Sequence, residues 1–415
     1  MRINNYEDKT FSRLSKIFSI YVVLLPILQF YKSPVSTFNM ATFLAVVFFP
    51  AFLIARKGKI SVFRNLLPIS IYVVYITFNV LYTSFLYNHP FNMVYDGAYL
   101  RMMLLFVSLL YLGQYWFDVK FAIQILEILL IASALFMIIQ LGLYYITGNL
   151  ISGKISALLT VDGYINIRRA TGLYMEPAQY SQSATLYLSF KLFAKEPIIH
   201  VRKIILIMSG IIMSGSGQGY LYLALVVVLF LFEYSKKLNS RKLRNILIFL
   251  GVMTVVGVVA LQIPYFQFAL ERIMPSSSHD FIGGSALQGR TYTNKYYMLL
   301  SDVEKRWGVG FGLSQSVIPS TEDAYVNTLY VHLIECGYLS IAIWAFMLIY
   351  YFINGSSEIK RFILIYTVML YFTGMGRPMM ICYFFSFILS QSRMNCIKPK
   401  QVLEITEYTD IISTA

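Results

Sequence analysis

The sequence predicts an all-α polytopic membrane protein, and three observations carry that expectation. Of its 415 residues 58% are hydrophobic and only 13% charged, which leaves too little polar side chain to cover a set of soluble cores. The apolar runs are many, most are too long for buried strands, and short charged stretches separate them. That is the pattern of helical spans, not of a barrel built from alternating segments of about ten residues. Lys and Arg are also unevenly placed. With spans alternating across a bilayer, 23 of the 34 fall on the side of the N-terminus, and short cytoplasmic loops are the ones that collect positive charge.

Taken in order, a first span at 17–31 follows Arg2, Lys9, Arg13 and Lys16 with no small-residue cleavage site behind it, so it is expected to remain as an uncleaved helix. Spans at 35–54, 66–87, 98–116, 121–146 and 179–193 come next. They are followed by spans at 204–213, 219–233, 246–262, 326–353, 362–375 and 378–390. The expectation is therefore about 12 transmembrane helices in one integral membrane domain over 1–415. Several are shorter than the roughly 20 residues a bilayer requires, so the pairs around Gly215 and Arg377 have a second reading as re-entrant hairpins. The charge count makes the N and C termini cytoplasmic, with a polar cytoplasmic tail at 398–415.

On the opposite side two large extracytoplasmic loops, 147–178 and 263–325, stand out among tight turns. Loops of that length in a compact protein are functional or disordered. The second carries Pro264, Pro275 and Pro319 and an amphipathic helix at 291–307, so it reads as ordered. Cys336, Cys382 and Cys396 form no CxxC and lie in or just after apolar runs, which makes them free thiols rather than a metal cage or a disulfide framework. No internal repeat is visible.

The outer-face cations are the main chemical signal. Lys154, Arg168, Arg169, Arg272, Arg290, Lys295, Lys305 and Arg306 lie in the two long loops, and Arg377 sits at an outer turn in GMGRPMM. Positive charge is thus concentrated where the orientation rule does not place it. A guanidinium binds phosphate through a planar fork of donors and stays charged at any relevant pH, so it suits a pyrophosphate at a membrane surface. The plainer reading pairs these groups with anionic lipid headgroups or with loop carboxylates such as Asp162 and Asp302, and it is the one favoured for Lys154, Lys295 and Arg272.

Glu176 precedes Pro177, and proline is at home in the first turn of a helix, so Glu176 belongs at or just before the start of the next span. An anion is favoured there. Glu176 then either accepts a proton or orients an arginine, or forms a salt bridge to Arg168 or Arg169 that only shapes the loop. His332 and Glu335 lie three residues apart and share a helix face with Thr328. Polar groups at that depth usually face a cavity or a partner. His332 has the chemistry of a general base near neutral pH, against the plainer reading of a satisfied packing histidine. Glu127 and Arg101 read as interhelical or interfacial partners.

Several classes are disfavoured. The positive charge has a topological explanation, so no nucleic acid partner is expected. No DxD occurs, so a metal clamp on a nucleotide sugar is unsupported, and neither metal nor cofactor is expected. SGSGQG at 214–219 and GVGFG at 308–312 lack a preceding strand and a Walker lysine, so they read as tight turns between short helices. GxSxG, HExxH and paired CxxC motifs do not occur.

The order of GLYMEPAQY after a basic loop, the SGSGQG turn, a large second loop with GRTYTNKYYM and WGVGFG, and the run NTLYVHLIECGYLS resembles the O-antigen and capsular polysaccharide repeat-unit polymerases, the Wzy group, and the related O-antigen ligases. The resemblance covers about residues 165–350. It implies a metal-independent glycosyltransferase of the bacterial cytoplasmic membrane, acting on undecaprenyl-pyrophosphate-linked glycans to build O-antigen, capsule or exopolysaccharide. Membrane lipids, a flippase and a chain-length regulator are the partners it implies.

It makes Arg168 or Arg169 and Arg290 the pyrophosphate or glycan ligands and puts Glu176 in the matching Glu-Pro position. Arg306, Arg377 and Asn327 are further candidates for substrate binding, and Asp323 and His332 stand behind Glu176 as general bases. Two departures are visible. Asn327 follows Val326, where ligase-like relatives often carry a His-Asn pair, and the arginine spacing differs from the polymerase pattern. The first leans toward polymerase. A ligase is the near alternative, and a flippase or other transporter a more distant one, since that would call for midplane ionisable groups and repeated halves.

Overall fold

The computed structural model describes residues 4–35, 38–55, 66–87, 98–155, 158–159, 169–194, 200–235, 293–318, 327–372 and 378–396. Within them the chain is helical: α1 (Asn4–Leu28), α2 (Met40–Ala55), α3 (Leu67–Leu86), α4 (Ala98–Gly113), α5 (Val119–Thr147), α6 (Pro177–Leu192), α7 (Val201–Met213) and α8 (Gly217–Ser235) come first. Two short helices, α9 (Thr293–Leu299) and α10 (Asp302–Trp307), precede α11 (Thr328–Asn354), α12 (Ser357–Phe372) and α13 (Pro378–Cys396). Among the described residues no strand forms beyond two isolated bridges, Tyr31 with Leu159 and Lys32 with Asn39.

Three helices, α3, α5 and α11, are long and apolar enough to cross a membrane, and α2, α4, α8 and α13 contain shorter apolar helices. Their outward faces fit a lipid solvent. Val74, Phe78, Leu81 and Phe85 line one exposed side of α3, and Ile128, Leu135, Ile139 and Ile146 one side of α5. The spacing of three, four or seven residues puts each set on a single stripe, and a stripe of that extent is unfavourable against water. The helix starts follow local chemistry. Asp118 accepts from the backbone N–H groups of Lys120 and Phe121 at 3.0 and 3.1 Å to open α5, and the buried Asn327 accepts from Tyr330 at 2.9 Å to open α11.

α6 is the exception to the apolar rule and lies at the centre of the bundle. It packs against α5, α7, α8 and α12, and Ser181, Gln182, Ser183, Thr185 and Ser189 on it are all buried. Three of its hydroxyls donate within the helix, Ser181 to the Pro177 carbonyl at 3.1 Å, Thr185 to Ser181 at 2.7 Å and Ser189 to Thr185 at 2.8 Å, while Ser183 accepts from Tyr383 of α13 at 3.2 Å. Back-bonding of this kind lets a polar helix be enclosed. At its far end Glu127 of α5 accepts from Tyr187 of α6 and from Lys203 of α7 at 2.5 Å, with Lys191 3.7 Å away. Glu127 is therefore the interhelical partner that the sequence suggests.

Two expectations are corrected. The amphipathic segment 291–307 is not one helix: α9 ends at Leu299 and α10 begins after Ser301. Ser301 and Glu304 form a capping box, with Ser301 Oγ accepting from the Glu304 N–H at 3.3 Å and Glu304 Oε2 from the Ser301 N–H at 2.8 Å. That reciprocal pair starts a helix and cannot sit inside one. The late span is likewise interrupted, at Gly337, whose φ of 71° and ψ of 179° lie outside helical space. The span expected at 246–262, the tail 398–415 and the part of the second loop at 263–292 lie outside the described residues, and so do Arg168, Arg272, Arg290, Asp323 and Arg377.

Candidate functional site

The first long loop is tied down by one side chain. Gln140, buried in α5, donates through Nε2 to the Ile151 carbonyl at 2.8 Å and accepts through Oε1 from the Thr171 and Gly172 N–H groups at 3.2 and 3.0 Å. Both ends of the loop are thereby held against the same turn of α5. Gly153 lies so close that an added Cβ would stand 2.7 Å from the Gly172 carbonyl oxygen. The residue that follows is Lys154.

Lys154 donates through Nζ to the Met175 carbonyl at 2.7 Å, and the Glu176 carboxylate is near enough to act on its charge. Burial lowers the Lys154 ammonium from the ordinary lysine range to about 8, and the charge of Glu176 opposes that shift. Glu176 is the N-cap residue of α6, extended at φ −127° and ψ 143°, with Pro177 in the first turn and no bond from its carboxylate to its own helix. Glu176 is half-buried. Arg169, also half-buried, points through Nη1 toward the Gly215 carbonyl at 3.5 Å in the α7–α8 turn. The basic stretch ahead of GLYMEPAQY thus meets the SGSGQG turn through Arg169. Behind them Tyr174 is fully buried, its phenol pushed well above its ordinary value by burial, with its ring 5.7 Å from that of Tyr180.

A second neighbourhood surrounds the break in α11. The N–H groups of Val309 and Gly310 donate to the carbonyls of Ile334 and Glu335 at 2.8 and 2.9 Å. The Tyr75 hydroxyl donates to the Cys336 carbonyl at 2.5 Å. From α3, Asn79 Nδ2 donates to the Trp307 carbonyl at 2.5 Å and the Tyr87 hydroxyl to the Gly308 carbonyl at 2.8 Å. Of the carbonyls freed by the interruption, two are bonded by the GVGFG segment, which makes it more than a turn, and the third by Tyr75; interrupted backbone in an apolar span requires such partners.

Glu335 and His332, only 6% and 2% exposed, sit beside this joint. Glu335 Oε1 lies 3.4 Å from the Ser314 N–H, and His332 Nε2 lies 3.3 Å from the Tyr72 hydroxyl while its Nδ1 has no hydrogen-bond partner.

The structure thus brings Glu176 together with Lys154, turns Arg169 toward the α7–α8 turn, and places His332 with Glu335 at the joint. Arg306 is exposed on α10. Asn327 spends its carbonyl oxygen on capping α11. Lys154 and Gln140 are the residues that sequence reasoning underrated; an amide inside the most apolar span was the available signal for Gln140, and Lys154 offered none. Among the described residues no cluster of three His, Cys, Asp or Glu side chains is placed to hold a metal.

The Gln140→Leu substitution removes all three bonds of the clamp at nearly constant volume. Each unpaired buried backbone group costs about 1–3 kcal/mol, so amide hydrogen exchange in 151–154 and 171–176 should quicken roughly ten- to a hundredfold. Exchange unchanged from the wild type would remove the clamp from the account. No family model matches the chain, and no curated protein matches it.

Proposed function

We propose that the chain is a multi-pass glycosyltransferase of the bacterial cytoplasmic membrane, with about 12 spans, cytoplasmic termini and both long loops outside. It joins undecaprenyl-pyrophosphate-linked oligosaccharide repeat units into O-antigen, capsule or exopolysaccharide. The observation that supports this reading is the closeness of a cation and a carboxylate, Lys154 and Glu176, at the start of a polar helix enclosed by apolar ones, with Arg169 directed at the α7–α8 turn.

The chemistry is a single displacement. Glu176 takes the proton of an acceptor sugar hydroxyl, whose oxygen attacks the anomeric carbon of the donor, and the bond from that carbon to the pyrophosphate oxygen breaks. The electron pair leaves with the lipid pyrophosphate, and the anomeric centre inverts. Arginines hold the leaving group and offset its charge as it develops. Arg169 is one of them; Arg168, Arg290, Arg306 and Arg377 enter from the sequence.

In a strain deleted for the gene and complemented in trans, Arg168→Ala, Arg169→Ala and Arg290→Ala should each cut polymer formation about ten- to a hundredfold, the worth of a charge-assisted bond. Membrane insertion should be normal in all three. Wild-type chain lengths from all three variants would discard the arginine site. The deletion itself separates the rival activities: single capped repeat units mean polymerase, unlinked full-length glycan means ligase, and lipid-linked units trapped inside mean flippase.

A further inference from the structure

We infer that α9 and α10 form an interfacial element, with Met298, Leu299, Val303 and Trp307 seated in lipid at the end of the bundle where α3 finishes. The partner is a lipid surface, and the inference holds whatever reaction the chain performs.

Three observations carry it. The first is an apolar patch left open: Met298 is 62% exposed, Leu299 79% and Val303 48%. Contiguous apolar surface of this kind is unfavourable against water and marks an interaction site. Its direction is set by what α9 buries. Tyr296 and Leu300, four residues apart, pack with Ile318 and with Ile334 of α11, which turns Met298 and Leu299 outward.

The second observation is that α10 has two unlike sides. Val303 and Trp307 lie four residues apart and share one of them, and Asp302 and Arg306, both exposed, share the other. A short helix that sets apolar and aromatic side chains against charged ones is suited to lie in an interface, apolar side down, rather than to cross a bilayer or stand in water.

The third observation names the occupant. The apolar side of α10 continues the exposed apolar stripe of α3: the Trp307 ring lies 4.8 Å from that of Tyr82 and 6.3 Å from that of Phe78, and Phe78 is part of the stripe with Leu81 and Phe85. The backbone is fixed at the same height, since Asn79 donates to the Trp307 carbonyl at 2.5 Å and Tyr87 to the Gly308 carbonyl at 2.8 Å. Trp307 therefore sits beside the last turns of α3, where a spanning helix leaves the hydrocarbon and tryptophan and tyrosine collect. A solvent that covers Phe78, Leu81 and Phe85 also covers Val303 and Leu299. This seat puts Arg306, on the opposite side of α10, at the level of the lipid phosphates.

The test introduces Met298→Cys, Leu299→Cys, Val303→Cys, Asp302→Cys and Arg306→Cys one at a time into the full chain carrying Cys396→Ala. Each cysteine takes a nitroxide spin label, and the chain is placed in phospholipid nanodiscs. All five side chains are exposed, so the replacements leave the core packing intact. Cys336 and Cys382 are buried, and the Cys396→Ala parent measures any label they take. Collisions of the nitroxide with oxygen, which concentrates in lipid, are compared with collisions with a water-soluble nickel chelate.

Oxygen should dominate for Met298→Cys, Leu299→Cys and Val303→Cys, and the ratio should reverse for Asp302→Cys and Arg306→Cys. Nickel-dominated collisions at the three apolar positions would put that side in water and overturn the inference. Few collisions with either reagent there would mean that protein covers it, which overturns the inference as well. Spectral broadening that disappears on dilution with unlabelled chain would identify that protein as a second copy.

Discussion

Glu176→Gln is expected to abolish long-chain glycan, with the variant still inserted in the membrane at wild-type abundance. Glu176 leaves its own helix uncapped. It occupies the N-cap position, where Ser, Thr, Asp and Asn usually bond their own first turn, yet its carboxylate makes no such bond. Pro177 takes the first helical position, removing one donor that would otherwise seek a cap. The helix therefore starts without a capping bond from the carboxylate, which lies close enough to Lys154 to act on its charge.

Glutamine keeps the size and most of the polarity and removes the ability to accept a proton. Loss of a general base costs about a hundred- to ten-thousandfold in rate, and a polymer tens of units long would vanish from a size-resolved glycan profile well before that limit. Glu176→Asp, one methylene shorter, should retain a measurable remainder. Polymer of ordinary length from Glu176→Gln would move the proton transfer to Asp323 or His332. His332 is a poor substitute by position, closed in against Tyr72 and Trp344 at the centre of the bundle.

The helical spans were readable because bilayer-crossing segments announce themselves over many residues: α3, α5 and α11 stand where the apolar runs lie. Glu176 was readable for a different reason, since a carboxylate followed by proline is a local signal that needs no partner. What sequence did not disclose depends on distant contacts. α6 was counted as one apolar span among others, but its serines and threonines are tolerable only because four helices enclose it. Sequence assigns Lys154 to a lipid headgroup or a loop carboxylate without saying which, and only the folded loop sets it beside Glu176. The segment 291–307 was a different kind of miss. Ser301 and Glu304 are a capping box in plain view, and a helical period on either side of it masked the boundary.

The second large expected effect is on stability, and it arises at the joint between α10 and α11. Gly337, at φ 71° and ψ 179°, and Gly308, at φ 81° and ψ 176°, both occupy a backbone region that is essentially reserved for glycine. Each also faces the backbone just before the other. A Cβ on Gly337 would run into the Arg306 carbonyl and the Trp307 N–H, and a Cβ on Gly308 into the Glu335 carbonyl and the Cys336 N–H. Alanine at either position therefore adds backbone strain of about 1–3 kcal/mol to an overlap of about 1–3 kcal/mol against atoms that cannot rotate away.

Gly337→Ala should then lose about 3 kcal/mol or more, seen as a lowered unfolding midpoint in detergent. Because the two glycines guard one contact, Gly308→Ala combined with Gly337→Ala should cost clearly less than the sum of the separate losses, as expected for residues that touch. The bonds from Val309, Gly310 and Tyr75 to the three freed carbonyls would be broken once, by whichever substitution comes first. Strict additivity would mean that the GVGFG segment and the break in α11 are stabilised independently, and an unchanged midpoint in both single variants would mean that the joint is not formed at all.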